Sequence, residues 1–204
     1  MIGNLIIISS PSGGGKGTLI REIFKTLDKI SYSISYTTRT KREGEVDGRD
    51  YFFISQGEFS QLIDSGEFLE YAEVHGNFYG TSLRQVEAET GLGRDIILEI
   101  DVQGAHAVLA KKPDAISIFI LPPSFEILRQ RLTDRGTEKK KDLELRLKNS
   151  FQEVSSYKFF QYVVINREIQ SASNELKTII LAERLRSIRQ TEAIQDILNS
   201  FDVS

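Results

Sequence analysis

Short apolar runs alternate along this chain with longer stretches of helical period. Four of the runs, Leu5 to Ser9, Asp95 to Asp101, Ala115 to Leu121 and Tyr162 to Ile165, are rich in isoleucine and valine and apolar almost throughout. A strand covered on one face would alternate between apolar and polar residues, so uninterrupted runs predict strands of a parallel sheet buried on both faces. Between them, Lys16 to Leu27, Gln103 to Ala110 and Ser124 to Arg135 read as helices. So does the stretch from Ser171 to about Ser200, where Leu176, Ile179, Ile180, Ile188, Ile194, Ile197 and Leu198 recur at three- and four-residue spacings. The alternation predicts an α/β fold, a parallel-sheet core flanked by helices.

Two regions break the rhythm. Residues 32–90 hold short β-like pieces (Ser33 to Tyr36, Tyr51 to Ile54, Phe68 to His75) around the helix-like Gln56 to Asp64. They are too mixed in polarity to continue a parallel sheet and predict an inserted α/β subdomain. Residues 135–150, RGTEKKKDLELRLKNS, are densely charged with a hinge candidate at Gly136. They predict a helical lid, assigned to 126–156. The core is then 1–31, 91–125 and 157–204 of a single domain.

Composition narrows the chemistry. With 204 residues, 40% of them hydrophobic, the chain can bury one sizeable core. A net charge of −3 provides no general field for a nucleic-acid polymer, while small anionic ligands stay open. There is no cysteine and only two histidines, His75 and His106, so neither a disulfide framework nor a zinc site is expected and no protein metal site is assigned. No run has the apolar length of a membrane span, and Met1-Ile2-Gly3-Asn4 has neither the basic start of a signal peptide nor a second-position glycine. The expected setting is cytoplasmic, with no membrane partner; self-association is left open.

The stretch SSPSGGGKGT, Ser9 to Thr18, joins the first predicted strand to the first predicted helix. Gly13, Gly14, Gly15 and Gly17 remove Cβ atoms, so that successive backbone N–H groups can line one concavity with a helix N-terminus behind it. Lys16 adds a full positive charge, which a dinucleotide-binding GxGxxG turn does not use. Ser12 through Thr18 are therefore candidates for holding the phosphates of a nucleoside triphosphate. Ser10 stands where the general motif opens with glycine, and Gly17 where a hydroxyl usually follows the lysine. Mg²⁺ is accordingly expected to arrive with the triphosphate, held chiefly by phosphates and water.

Further motifs follow in order: SYTTRTKREGEVDGRDYFF (Ser35 to Phe53), FLEYAEVHGNFYGTS (Phe68 to Ser82), ILEIDVQGAH (Ile97 to His106), ILPPS (Ile120 to Ser124) and RGT (Arg135 to Thr137). With these, the chain from about Leu5 to Arg186 strongly resembles the guanylate kinase family, which moves a phosphoryl group from ATP to GMP. The resemblance implies a phosphate-loop core, a GMP-binding insertion and a lid, with Mg²⁺·ATP as donor and a place in purine metabolism and GMP recycling. It implies that Arg39, Arg42, Tyr51 and Tyr79 hold the GMP phosphate, that Glu70 and Asp101 contact guanine, and that Ser35 and Thr81 add polar contacts to the base. It further implies that Lys16, Arg131, Arg135 and Arg146 act on the ATP phosphates and that Asn166 meets adenine.

The residue chemistry agrees. An acceptor phosphate with a second pKa of ~6 is mostly dianionic at neutral pH, so no general base is needed. What the reaction needs is alignment and charge neutralisation, which arginine forks and phenolic hydroxyls supply. Guanine presents donors at N1 and N2, which a carboxylate accepts; adenine presents an acceptor at N1. No motif reads a 2′-hydroxyl, so dGMP is an expected acceptor as well. Arg131 and Arg135, four apart, share a helix face, whereas Arg129 points elsewhere; Lys139 to Lys141 read as a solvated face.

Two departures stand out. The chain has Glu99-Ile100-Asp101 where the family commonly has Asp-Ile-Asp, and Asn166-Arg167-Glu168 where it has Asn-Asp-Asp. Adenylate kinase shares the GKGT loop, but Glu70 and Asp101 argue against it. The peptide-binding guanylate kinase-like modules of scaffold proteins share the fold, but their nucleotide site is degraded, and here the basic residues all remain.

Overall fold

A computed structural model describes residues 2–74, 76–134 and 152–201. Its strands are β1 (Leu5–Ser9), β2 (Ile30–Tyr32), β3 (Tyr36–Thr37), β4 (Phe52–Phe53), β5 (Phe68–Val74), β6 (Asn77–Ser82), β7 (Asp95–Glu99), β8 (Ile116–Leu121) and β9 (Tyr162–Ile165). The helices are α1 (Lys16–Phe24), α2 (Gln56–Asp64), α3 (Leu83–Gly91), α4 (Val102–Lys111), α5 (Phe125–Asp134), α6 (Ile169–Arg184) and α7 (Thr191–Phe201).

β1 is the centre of a five-stranded parallel sheet in the order β2-β7-β1-β8-β9. Ile6, Ile7 and Ile8 are all fully buried because successive side chains leave opposite faces and both faces are covered. Ile6 and Ile8 pack with Leu19 and Ile23 of α1 and Leu176 and Ile180 of α6. Ile7 joins Leu98 and Phe119 against Val86 of α3 and Ala105 and Val108 of α4. At about 1.5–3 kcal/mol per buried aliphatic side chain, this double layer is what fixes the carboxyl ends of β1 and β7, where the site lies.

A second, four-stranded sheet, β4-β3-β6-β5, is mixed, with β5 and β6 antiparallel and β3 and β4 parallel. Its small core is aromatic: Phe59 of α2 lies 4.6 Å from Phe68 and 5.4 Å from Phe78, ring centroid to centroid. Ser55 and Glu58 close a capping box on α2, and so fix where that helix starts.

Three sequence expectations change. Ile30–Tyr32 is an edge strand of the parallel sheet; its residues are half-buried, so they lack the apolar signature of the inner strands. β6 was not expected, because Gly80 weakens its strand pattern; a Cβ there would lie 2.8 Å from the Phe68 ring, so the sheet's own packing requires glycine. The single helix expected from Ser171 to about Ser200 is two, α6 and α7, separated by a 3-10 turn at Ser187–Arg189. No Gly or Pro marks that break, and α7 keeps the apolar spacing although none of its residues is buried.

Candidate active site

The loop after β1 turns through Gly13 at φ +83° and Gly15 at φ +88°, left-handed positions that favour glycine. A Cβ on Gly15 would also fall 2.4 Å from Asn166 Nδ2. α1 then begins with no side-chain cap and no acidic residue in its first turn, leaving bare N–H groups at the positive end of the helix. Lys16 Nζ donates to the Ile100 carbonyl at 3.0 Å. Burial pulls the lysine below its ordinary pKa, and the charges of Glu99, Asp101 and Glu153 oppose that shift.

The underside of the loop is tied down. Asn166, 2% exposed after β9, donates from Nδ2 to the Gly14 carbonyl at 3.0 Å. Arg131 of α5 donates to Gly14 O at 3.3 Å and to Asn166 O at 3.1 Å. Both residues touch loop backbone, so their visible work is shaping the loop. Above it, the Glu153 carboxylate accepts the Ser12 N–H at 2.9 Å.

The loop, Glu99, Asp101, Gln103 and Glu153 line a cavity of about 470 Å³. A second cavity of about 230 Å³ adjoins it, lined by Ser35, Tyr51, Glu70 and Tyr79, and the two share Lys16, Val74, Glu99 and Asp101. Lys16 thus stands at the boundary between them.

The second cavity has a phenolic end, with Arg39 beside the Tyr51 ring, and an acidic end. The Arg39 guanidinium sits 5.4 Å from the Tyr51 ring centroid and 5.7 Å from that of Phe53, and donates to Glu45 at 2.7 Å and to Thr40 O at 2.8 Å. The Tyr51 and Tyr79 rings meet edge to face at 5.9 Å, and burial pushes the Tyr51 hydroxyl above its ordinary pKa. Arg42 is exposed and gives Glu45 its backbone N–H; neither its side chain nor that of Arg39 is among those lining the cavity. At the acidic end Glu70, 5% exposed, accepts from Thr81 Oγ1 at 2.6 Å. Burial, then the Asp101 charge, pushes its carboxyl up to about 7 against the Thr81 bond and the Lys111 charge. Asp101 caps α4 by accepting the Gly104 N–H at 2.9 Å.

Glu99 has a use for its extra methylene: Tyr32 donates its hydroxyl to Glu99 Oε2 at 3.0 Å. Burial, then Glu99, raises the Tyr32 pKa. Thr18 Oγ1 accepts from Arg21 at 3.2 Å, and among the described residues no group of three or more histidine or acidic side chains gathers as a metal site. His106 packs edge-on against Phe159. Arg135, Arg146, the Lys139 to Lys141 run, Gly136 and His75 lie outside the described residues.

Sequence reasoning missed Tyr32, Glu45, Gly104, Lys111 and Glu153. Lys111 donates to Leu69 O at 2.6 Å, linking α4 to β5 beside Glu70. Glu45 and Gly104 lay within quoted site motifs and near residues already singled out; the others meet the site through tertiary contacts alone.

A triphosphate-sized cavity floored by a glycine loop, sharing its lysine with a second cavity that is tyrosine-lined at one end, with Arg39 beside those rings, and carboxylate-lined at the other, belongs to a class that moves phosphoryl groups between nucleotides. The protein is a phosphate-loop kinase of the nucleoside monophosphate type. A family model described as guanylate kinase matches residues 2–183. The guanylate kinase of Geobacter sulfurreducens is 44% identical over 197 residues, 97% of this chain and 97% of its own. That of Nitrosomonas europaea is 45% identical over 197 residues, 97% of this chain and 98% of its own. The crystal structure of guanylate kinase from Anaplasma phagocytophilum is similar at a TM-score of 0.82 and 32% identity, covering 100% of this chain and 97% of that one. The chain belongs to the guanylate kinase family.

Proposed function

We infer that the protein transfers the γ-phosphoryl group of ATP to GMP, and to dGMP, giving ADP and the corresponding diphosphate, in cytoplasmic purine metabolism. The observation that carries this reading is Lys16 standing between the two cavities. Family membership supports it. The residues act as a core (1–31, 91–125, 157–204), an acceptor-binding part (32–90) and a lid (126–156).

On this reading the nest of Ser12 to Thr18 receives the donor phosphates, and Lys16 leaves the Ile100 carbonyl to follow the group in flight. Arg131, Arg135 and Arg146 neutralise the donor side, and Asn166 holds the loop beside adenine. Arg39, Arg42, Tyr51 and Tyr79 grip the acceptor phosphate. Glu70 and Asp101 accept the N–H groups of guanine, and Ser35 and Thr81 add polar contacts to the base. The acceptor oxygen attacks already deprotonated, so no residue has to take a proton from it. Mg²⁺ bound with ATP supplies charge neutralisation on its phosphates; Thr18 and the Glu99 and Asp101 carboxylates are oxygen donors of the kind it favours, at the edge of the donor site.

The test is ADP formation in a coupled assay with GMP, dGMP, AMP or UMP as acceptor. Turnover with GMP and dGMP is the expected result. Activity with AMP alone would show that the acidic end of the cavity does not read guanine.

A further inference from the structure

Glu45 places a carboxylate beside a site that has to bind a phosphate dianion, where a negative charge by itself works against the ligand. Both of its oxygens are engaged. Oε1 accepts from Arg39 at 2.7 Å and Oε2 accepts the backbone N–H of Arg42 at 2.8 Å. The Glu45 N–H in turn donates to Arg42 O at 3.2 Å, across a turn that needs Gly44 at φ +83°. The carboxylate is therefore built into a closed turn, and the Arg39 and Glu45 side chains are only 13% and 19% exposed. The Arg39 hydrogen bond, then the Arg42 backbone N–H and the Arg39 charge, hold Glu45 below the usual carboxylate range.

Two roles are open to such a group, and they differ in sign. A competitor would occupy Arg39 until the phosphate displaced it. An anchor would hold the guanidinium at one edge and leave the rest for the ligand. The geometry favours the anchor: Glu45 takes one of the five guanidinium donors, Thr40 O takes another, and the guanidinium lies near the Tyr51 and Phe53 rings. The Tyr79 ring packs edge-on against Tyr51 on the same side of the cavity. A long side chain fixed before the ligand arrives loses less freedom on binding it.

We propose that Glu45 is a positioning residue for the acceptor phosphate, acting through Arg39: it presets the guanidinium over Tyr51 and so sets the affinity for the monophosphate. The proposal rests on the reading of the second cavity as the GMP site.

The test compares E45Q, R39M and the double variant. For E45Q we expect the KM for GMP to rise about tenfold, with kcat and the KM for ATP within about twofold. Guanosine, which has the base without the phosphate, should inhibit wild type and E45Q with the same Ki. R39M and R39M/E45Q should have the same KM for GMP, because the anchor has nothing to hold once the arginine is gone. Tighter GMP binding by E45Q would make Glu45 a competitor and overturn the proposal. A guanosine Ki that rises in step with the GMP KM, or additive losses in the double variant, would reduce Glu45 to a structural role. Wild-type enzyme that turns over AMP and not GMP would overturn the functional reading itself.

Discussion

Glu70→Gln tests the proposed base recognition apart from everything else in this site. The wild-type carboxyl is pushed up to about 7 by burial and by Asp101. Guanine N1–H and N2–H require the ionised form, so apparent affinity scales with the ionised fraction. That fraction falls from about nine tenths at pH 8 to about one tenth at pH 6, roughly a tenfold loss of GMP affinity. The GMP phosphate, with a second pKa of ~6, adds about a further twofold. Glutamine does not titrate, and it turns an N–H donor toward the guanine donors. Removing a charged acceptor from two donors costs about 3 kcal/mol, or ~100-fold in GMP affinity at pH 8. Its pH dependence should then shrink to the phosphate's twofold. Calorimetric titration of GMP and of ATP with both proteins at pH 6, 7 and 8 measures this. Equal losses for the two nucleotides, or the same pH slope in both proteins, would refute the assignment. The same carboxyl affects folding. Because its folded pKa lies above the ordinary 4.5, its contribution to stability is fully present below about pH 4.5 and is lost as pH rises through about 7. Glu70→Gln should therefore melt higher than wild type at pH 8, by up to about 3 kcal/mol, with the gap closing toward pH 5.

Three further outcomes follow from named contacts. Lys16→Met should abolish turnover while the circular dichroism spectrum stays native; near-normal turnover would sink the mechanism. Glu153→Gln takes a negative charge off the Ser12 N–H and should lower the KM for ATP by a few fold with the GMP KM unchanged, read by steady-state kinetics. Arg184→Met leaves Asp95, which is buried and bonded to Arg184 at 2.7 Å and to Asn4, without its counter-charge. A loss of about 3–5 kcal/mol, or ~6–20 °C in Tm, is expected in thermal melts.

The inner strands were legible because burial on both faces writes itself as unbroken apolar runs: β1 and β9 have the bounds expected, and β7 and β8 differ by a residue or two. α7 was legible as a helix and misread as a continuation, since periodicity reports a face and not whether anything covers it. In the site, the residues proposed to carry the reaction's own chemistry stand out by type and spacing, as with the glycine loop and Lys16. Those that act by holding another group did not. Tyr32 reaches Glu99 across 67 positions and Glu153 reaches Ser12 across 141, and neither spacing has any local signature. Asn166 was named for adenine; the structure adds its bond to Gly14 O, which depends on β9 ending beside the loop.

Gly104 lies in the first turn of α4, where a Cβ would be 2.9 Å from Glu70 Oε2 and 3.3 Å from Asp101 Oδ1. What brings the two acids together is thus a hydrogen where other residues carry a methyl. On the proposed reading of Glu70 and Asp101, base recognition depends on this missing carbon too: a single added methyl would press on both carboxylates themselves and weaken binding of the acceptor nucleotide. A residue with no side chain thus sets how closely two acids can approach the same ligand.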